Sequence, residues 1–149
     1  MIVALIVCVI ILDQFTKWLV CKTLIFGEVI PVIANFFNIR KVYNDGAAWG
    51  IMSGMRPILV AVSFVMLGLI WWNREEILNS GKISRISVGL LVGGIVGNLL
   101  DRMKLGYVVD FLDFYWKSYT YPTFNVADSA ICIGVFLFAI SQFLAKEKS

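Results

Sequence analysis

Several stretches of this chain are apolar for almost as long as a helix must be to cross a lipid bilayer, and they leave room for little else. A crossing takes about 20 mostly apolar residues at roughly 1.5 Å each. Four runs, at about 1–19, 57–72, 83–101 and 126–145, approach that length within 149 residues. Only 15% of the residues are charged, against about 25% in an ordinary soluble domain. The sequence therefore predicts an α-helical integral membrane protein: four transmembrane helices in a single membrane-embedded domain over 1–149. Met1–Leu12 has no basic segment before it and no small-x-small site after it, so it reads as a retained membrane segment rather than a cleaved signal.

The connections differ in character. Residues 73–82 are short and polar, an ordinary loop. Residues 22–56 are long and largely apolar, and Phe36–Tyr43 within them reads as a strand or hairpin on the membrane surface. Residues 103–124 hold a second strand candidate, Tyr107–Phe111, and an aromatic group (Phe114, Tyr115, Trp116, Tyr119, Tyr121) suited to the headgroup region. The expected architecture is a helical bundle with a small β-rich element outside the membrane.

With four crossings, the ends of the first and third helices and the starts of the second and fourth share one side. Asp13, Lys17, Asn44, Asn98, Asp101, Arg102, Asp110, Asn125 and Asp128 all map to that side or just inside it. Polarity gathered at one face is what a site in a membrane protein would look like. The Lys and Arg count near the spans is eight on the polar side and five on the other, which points the polar side inward. Several of those cations are candidates for the site itself, so charge leaves the orientation open.

The chain has no histidine, which removes Ser-His-Asp and Cys-His catalysis and the commonest zinc ligand. Its three cysteines, Cys8, Cys21 and Cys132, form no metal or redox spacing. No metal or cofactor is expected. A net charge of +3 without a basic run gives no sign of nucleic acid. Hydrolytic chemistry would have to come from carboxylates or from a Ser–Lys pair.

Asp13 and Lys17 stand four apart, in the order that favours an ion pair on a helix, and read mainly as structural support. Gly89, Gly93 and Gly97 recur every four residues, a close-packing seam within one chain or between two. Asn98 and Arg102, one turn on, share a face, and Asn98 lies deep enough to need a partner. Asn125 and Asp128 have the spacing of a capping box at a helix start. Asp110 sits among apolar neighbours, where a carboxylate is expensive, while Asp113 looks like its more exposed companion. If Asp110 and Asp128 face each other across one pocket, one keeps a proton that a lone carboxylate would lose, which supplies both a general acid and a general base.

Several blocks now stand in order: Asp13-Gln14-x-x-Lys17, Asn44-Asp45-Gly46-Ala47-Ala48-Trp49-Gly50, Gly93-Gly94-x-x-Gly97-Asn98-x-x-Asp101-Arg102, Val108-Val109-Asp110-Phe111 and Phe124-Asn125-x-Ala127-Asp128. Over nearly its whole length the chain resembles the bacterial lipoprotein signal peptidases (signal peptidase II). Trp49 stands where that family often has phenylalanine. The resemblance implies a membrane aspartic endopeptidase that removes signal peptides from diacylglyceryl-modified prolipoproteins, cutting just before the lipidated cysteine. Asp110 and Asp128 would then be catalytic. Asn98, Arg102 and Asn125 would line the pocket and hold substrate backbone, with Asn44, Asp13, Lys17 and Asp101 in support. It also implies a monomer in contact with membrane lipids in the bacterial inner membrane, with both termini cytoplasmic and the site near the outer face. Within that picture Tyr43, Trp49 and Val29–Phe37 form a lid that meets acyl chains.

Three other readings make different demands. A transporter would thread charges through both halves of the bilayer, yet apart from Arg85 they gather at one end. A Ser–Lys peptidase would pair Lys17 with Ser53 or Ser129. A non-catalytic assembly factor would tolerate loss of both aspartates.

Overall fold

The computed structural model describes residues 1–47 and 51–146, with side chains to residue 144. Its elements are α1 (Ile2–Thr23), β1 (Val29–Ile33), β2 (Phe37–Asn44), α2 (Arg56–Trp72), α3 (Arg74–Asn79), α4 (Lys82–Lys104), β3 (Val108–Trp116), β4 (Tyr119–Thr120) and α5 (Val126–Lys146).

Helix α4 is the axis of the bundle because its glycines let two neighbours approach on two faces. A Cβ on Gly93 would lie 2.7 Å from Val9 Cβ, and one on Gly97 2.7 Å from Asp13 Oδ2, so this face receives α1. A Cβ on Gly94 would run into the Ala127 carbonyl and lie 2.7 Å from Ile131 Cγ1, so that face receives α5. The seam is thus used within one chain. Contacts advance together along α1 and α4 (Leu5 with Gly89, Val9 with Gly93), which makes them parallel. Gly134 meets Ser87 and Leu91 where Ala127 meets Gly94, so α5 runs the other way. Arg56, at the start of α2, donates from Nη2 to the Met103 carbonyl at the end of α4, 3.1 Å away, so α2 is antiparallel to α4 as well.

Three helices, Ile2–Thr23, Lys82–Lys104 and Val126–Leu144, are long and apolar enough to cross a membrane. That makes the chain a multi-pass membrane protein. Helix α2 is equally apolar but has 17 residues, which reach about 25 Å against a hydrocarbon core of about 30 Å. The expected loop at 73–82 contains the short helix α3, whose first turn carries Glu75 and Glu76 against the helix dipole.

The sheet is antiparallel in the order β1-β2-β3-β4. The expected strand at Phe36–Tyr43 is β2, paired in a hairpin with β1 through a turn in which Asn35 takes a φ of 61°. The candidate at Tyr107–Phe111 is longer than expected. Strand β3 runs on through Phe114, Tyr115 and Trp116, so part of the aromatic group belongs to the sheet rather than to a headgroup loop.

Two features fasten the sheet to the bundle. Val20 of α1 packs with Val109 and Phe111 of β3 in a buried cluster, against which Ile39 and Val126 lie. Lys41 of β2 is buried, and its Nζ donates to the carbonyls of Cys21 (3.0 Å) and Leu24 (2.8 Å). Helix ends leave carbonyls without partners, and a cation there also meets the negative end of the dipole. Asp113 corrects an expectation: it is buried, not exposed, and accepts from Asn38 Nδ2 at 3.1 Å and Thr123 Oγ1 at 3.5 Å.

The glycine contacts make a paired test. Gly94→Val should lower the thermal midpoint in detergent by overpacking, a cost of about 1–3 kcal/mol. Gly68, where an added Cβ meets nothing within 4 Å, should accept alanine with a change of at most about 1 kcal/mol, and in the stabilising direction.

Candidate active site

Where the end of α4, the start of α5 and strand β3 converge, a cavity of about 1080 Å³ opens. Asp110, Asp128, Asn44, Asn98 and Arg102 line it on the polar side, and Tyr43, Phe114, Tyr121 and Phe124 on the apolar side. A groove along α2, from Pro57 to Met66, is lined by apolar side chains and carries no chemistry.

Each aspartate is placed by local folding. Asp110 lies in strand β3 and is buried, as are Val109 and Phe111 on either side, whose side chains point to the other face of the strand. Asp128 lies in the first turn of α5. There the expected capping box forms: the Asp128 backbone N–H donates to Asn125 Oδ1 at 2.9 Å, and the Asn125 N–H donates to Asp128 Oδ2 at 3.2 Å. The structural role anticipated for Asp128 and a place on the cavity wall hold together.

Asn125 joins the two carboxylates. Fully buried, it donates from Nδ2 to Asp110 Oδ1 at 2.7 Å while its own backbone N–H holds Asp128. Asn44 donates to Asp110 Oδ2 at 2.9 Å, and Asn98 donates to Asp128 Oδ1 at 2.7 Å. Every carboxylate oxygen of the pair thus accepts at least one N–H. Burial pushes the Asp110 carboxyl up from its ordinary 3.8 to about 7, and the charge of Asp128 adds to the rise. The hydrogen bonds from Asn44 and Asn125 and the charge of Lys17 pull the other way.

Behind the pair lies a second acidic pair with a lysine between. Lys17 Nζ reaches Asp13 Oδ2 at 2.9 Å and Asp101 Oδ2 at 3.0 Å, all three side chains being buried. The ion pair expected within α1 is present and extends to α4. Asp13 Oδ1 accepts the backbone N–H of Ala127 at 2.9 Å, and Asp101 Oδ2 that of Val109 at 3.2 Å. Each supporting carboxylate therefore grips the residue just before one aspartate of the cavity.

Gln14 was not singled out from the sequence, yet its Nε2 donates to Asp101 Oδ1 (2.9 Å), Asp13 Oδ2 (3.2 Å) and the Gly97 carbonyl (3.2 Å). Its place beside Asp13 in the first block was the available signal. Arg102 donates from Nη2 to the Gly46 carbonyl at 2.8 Å, and its buried Nε has no acceptor among the described residues. Asp45 closes the same loop, accepting from Ser53 Oγ at 2.7 Å and the Gly54 N–H at 3.1 Å. The segment Val29–Phe37 is a different matter. Its strand β1 is the outer edge of the sheet and does not line the cavity, so among the described residues of the expected lid only Tyr43 reaches it. Trp49 lies outside the described residues.

A family model described as Signal peptidase (SPase) II matches residues 5–144. The lipoprotein signal peptidase of Geobacter metallireducens is 42% identical over 135 residues, covering 89% of this chain and 83% of its own. That of Bacillus pumilus is 38% identical over 138 residues, covering 93% and 89%. A solved bacterial membrane enzyme is 34% identical and superposes with a TM-score of 0.88, covering 99% of this chain and 89% of its own. A second such structure gives 0.82 at 34% identity, covering 95% and 91%.

The raised Asp110 carboxyl has a consequence for stability. The folded state holds this proton up to about pH 7, whereas an unfolded chain releases it near pH 4. Between these limits the folded state binds more protons, so the contribution is present at low pH and is lost as pH rises through about 7. Thermal melts in detergent from pH 4 to 8 should show the wild type losing stability relative to Asp110→Asn as pH increases. A constant difference would contradict this.

Proposed function

The chain belongs to the signal peptidase II family, and on that premise we propose that Asp110 and Asp128 are its catalytic pair. The family's role is proteolytic removal of signal peptides from prolipoproteins, and this chain is a protease of that kind. The observation that carries the assignment is the single hydrogen-bonded frame of Asn125, which holds both carboxylates on one cavity wall.

The chemistry follows from that frame. With a carboxyl lifted to about 7 at Asp110, the pair keeps one proton near neutral pH. The ionised member takes a proton from water as its oxygen attacks the scissile carbonyl. The protonated member gives its proton to the carbonyl oxygen, forming a tetrahedral diol. As the C–N bond breaks, the proton gained from water passes to the leaving amine and the diol returns one proton to the other carboxylate, which restores the singly protonated pair. Arg102 lines the site and is the residue suited to holding substrate backbone, its Nε having no acceptor among the described residues. Asn98 lines the site but spends its amide on Lys17 and Asp128, and Asn125, expected to line the pocket, is fully buried off the cavity wall and holds the two carboxylates instead of substrate. Asn44, Asp13, Lys17 and Asp101 support the pair.

Residues 1–149 act as one membrane-embedded peptidase domain. The alternating directions of α1, α2, α4 and α5 favour four crossings, the short α2 being accommodated by local thinning of the bilayer. The sheet and cavity then face the outer side of the bacterial inner membrane, with both termini cytoplasmic. A lipid-bearing substrate arrives sideways through the bilayer, which suits an embedded protease in contact with membrane lipids and a cavity with an aromatic half. The substrate is a diacylglyceryl-modified prolipoprotein, cut just before its lipidated cysteine by a monomer.

Purified enzyme should cleave a diacylglyceryl-modified lipoprotein signal peptide at least tenfold faster than the same peptide unmodified. Asp110→Asn and Asp128→Asn should each insert, fold and lose cleavage by a factor of about 10³ or more, as expected when a general acid or base is removed. Asn98→Ala and Arg102→Ala should lose less. Ser53→Ala and Ser129→Ala should retain cleavage. Activity surviving in either aspartate variant would overturn the assignment.

A further inference from the structure

Lys17 is buried behind the cavity and does not line it, yet all three of its N–H groups are committed. Its Nζ lies 2.9 Å from Asp13 Oδ2, 3.0 Å from Asp101 Oδ2 and 3.0 Å from Asn98 Oδ1. An ammonium group donates three hydrogen bonds and accepts none. The Asn98 side chain can therefore present only its oxygen to Lys17, and its NH₂ must point away, where Asp128 Oδ1 waits at 2.7 Å. Were the amide reversed, its oxygen would face that carboxylate and its NH₂ would face the ammonium, two repulsive contacts in place of two bonds.

The other two amides of the frame are fixed by neighbours that do not involve Lys17. Asn125 Oδ1 accepts the Asp128 backbone N–H at 2.9 Å, and Asn44 Oδ1 accepts the Gly46 N–H at 2.9 Å. A backbone N–H can only donate, so these two amides turn their NH₂ groups to Asp110 unaided. For Asn98 the fixed donor is the lysine, with Asn125 Nδ2 adding a weaker contact at 3.2 Å.

We infer that Lys17 is a positioning residue for the peptidase reaction, which acts on Asp128 by fixing the amide orientation of Asn98. The inference rests on the assignment of Asp110 and Asp128 as the catalytic pair. Without Lys17 the Asn98 amide loses its orientation, and Asp128 loses a donor and gains in part an acceptor. The bonds of Asp13 and Asp101 to the Ala127 and Val109 N–H groups do not need the lysine. The effect should therefore fall on turnover rather than on the shape of the cavity or the affinity for substrate.

The test is a double-mutant cycle in detergent-purified full-length protein, with a diacylglyceryl-modified peptide as substrate. Asn98→Ala and Lys17→Met should each lower kcat by about 10- to 100-fold, the effect expected of one hydrogen bond to a charged group, with KM changed less than threefold. The double variant should be no slower than Asn98→Ala. All three variants should differ from the wild type in pH–kcat profile, with Lys17→Met and the double variant superposing on each other and lying at higher pH than Asn98→Ala, because they also lose the lysine charge that lowers the Asp110 carboxyl. Multiplying effects, or a Lys17→Met profile that matches the wild type, would overturn the inference and leave lysine as a structural ion-pair partner only. Where Lys17→Met does not yield folded protein, Asp13→Asn/Lys17→Met keeps the formal charge of the Asp13–Lys17–Asp101 group at −1, and the cycle is run with Asp13→Asn as the reference to which Lys17→Met and Asn98→Ala are added singly and together. Asp128→Asn serves as the control for the catalytic assignment. If it cleaves, that reading fails, and if it is inactive while the cycle is additive, only the role of Lys17 fails.

Discussion

A carboxylate surrounded by hydrocarbon must be neutralised, paired or saturated with donors, and this molecule is organised around meeting that demand four times within one small volume. Asp13 and Asp101 are paired through a shared lysine. Among the described residues Asp110 and Asp128 are not paired with a cation at contact distance; each of their oxygens accepts an amide or backbone N–H instead. The two pairs differ in place: Asp13 and Asp101 lie off the cavity wall and accept the backbone N–H groups of Ala127 and Val109, whereas Asp110 and Asp128 stand on it. Each paired carboxylate grips the residue before an amide-held one, so the ion-paired carboxylates set the geometry of the proposed catalytic pair.

That arrangement explains how much could be read from the residues. Long apolar runs declare helices because hydrocarbon leaves the backbone no other way to satisfy its polar groups, and the helices of 17 to 23 residues appear where those runs stand. The candidate residues Asp13, Lys17, Asn44, Asn98, Asp101, Arg102, Asp110, Asn125 and Asp128 are joined by hydrogen bonds and ion pairs around one end of the bundle, Arg102 through the loop at Gly46. A polar group in an apolar run is conspicuous because it is costly, so each of them stood out.

What remained hidden were partners whose cost is not visible in one dimension. Lys41 follows the exposed Arg40 in β2 and looks like a second surface cation, although it caps α1 from a strand about 20 residues away in sequence. Asp113 looked solvated because the residue that covers it, Asn38, belongs to another strand. Strand β1 looked like a lid because its apolar side chains had to be placed somewhere, and position in the sheet, not composition, decides that it is an edge. Helix α3 is short and polar, and a run of six residues carries too little periodicity to announce itself.

The proposed catalytic pair is assembled from unlike parts, since Asp110 rides on a strand and Asp128 on a helix. Their separation is therefore not a property of either element. It is an alignment between two bodies, and the tolerance on that alignment is set by whatever clamps sheet to bundle. Lys41 and the cluster of Val20, Val109 and Phe111 are parts of that clamp, which makes the far side of the sheet as much a determinant of how the two carboxyl groups are set apart as the cavity wall itself.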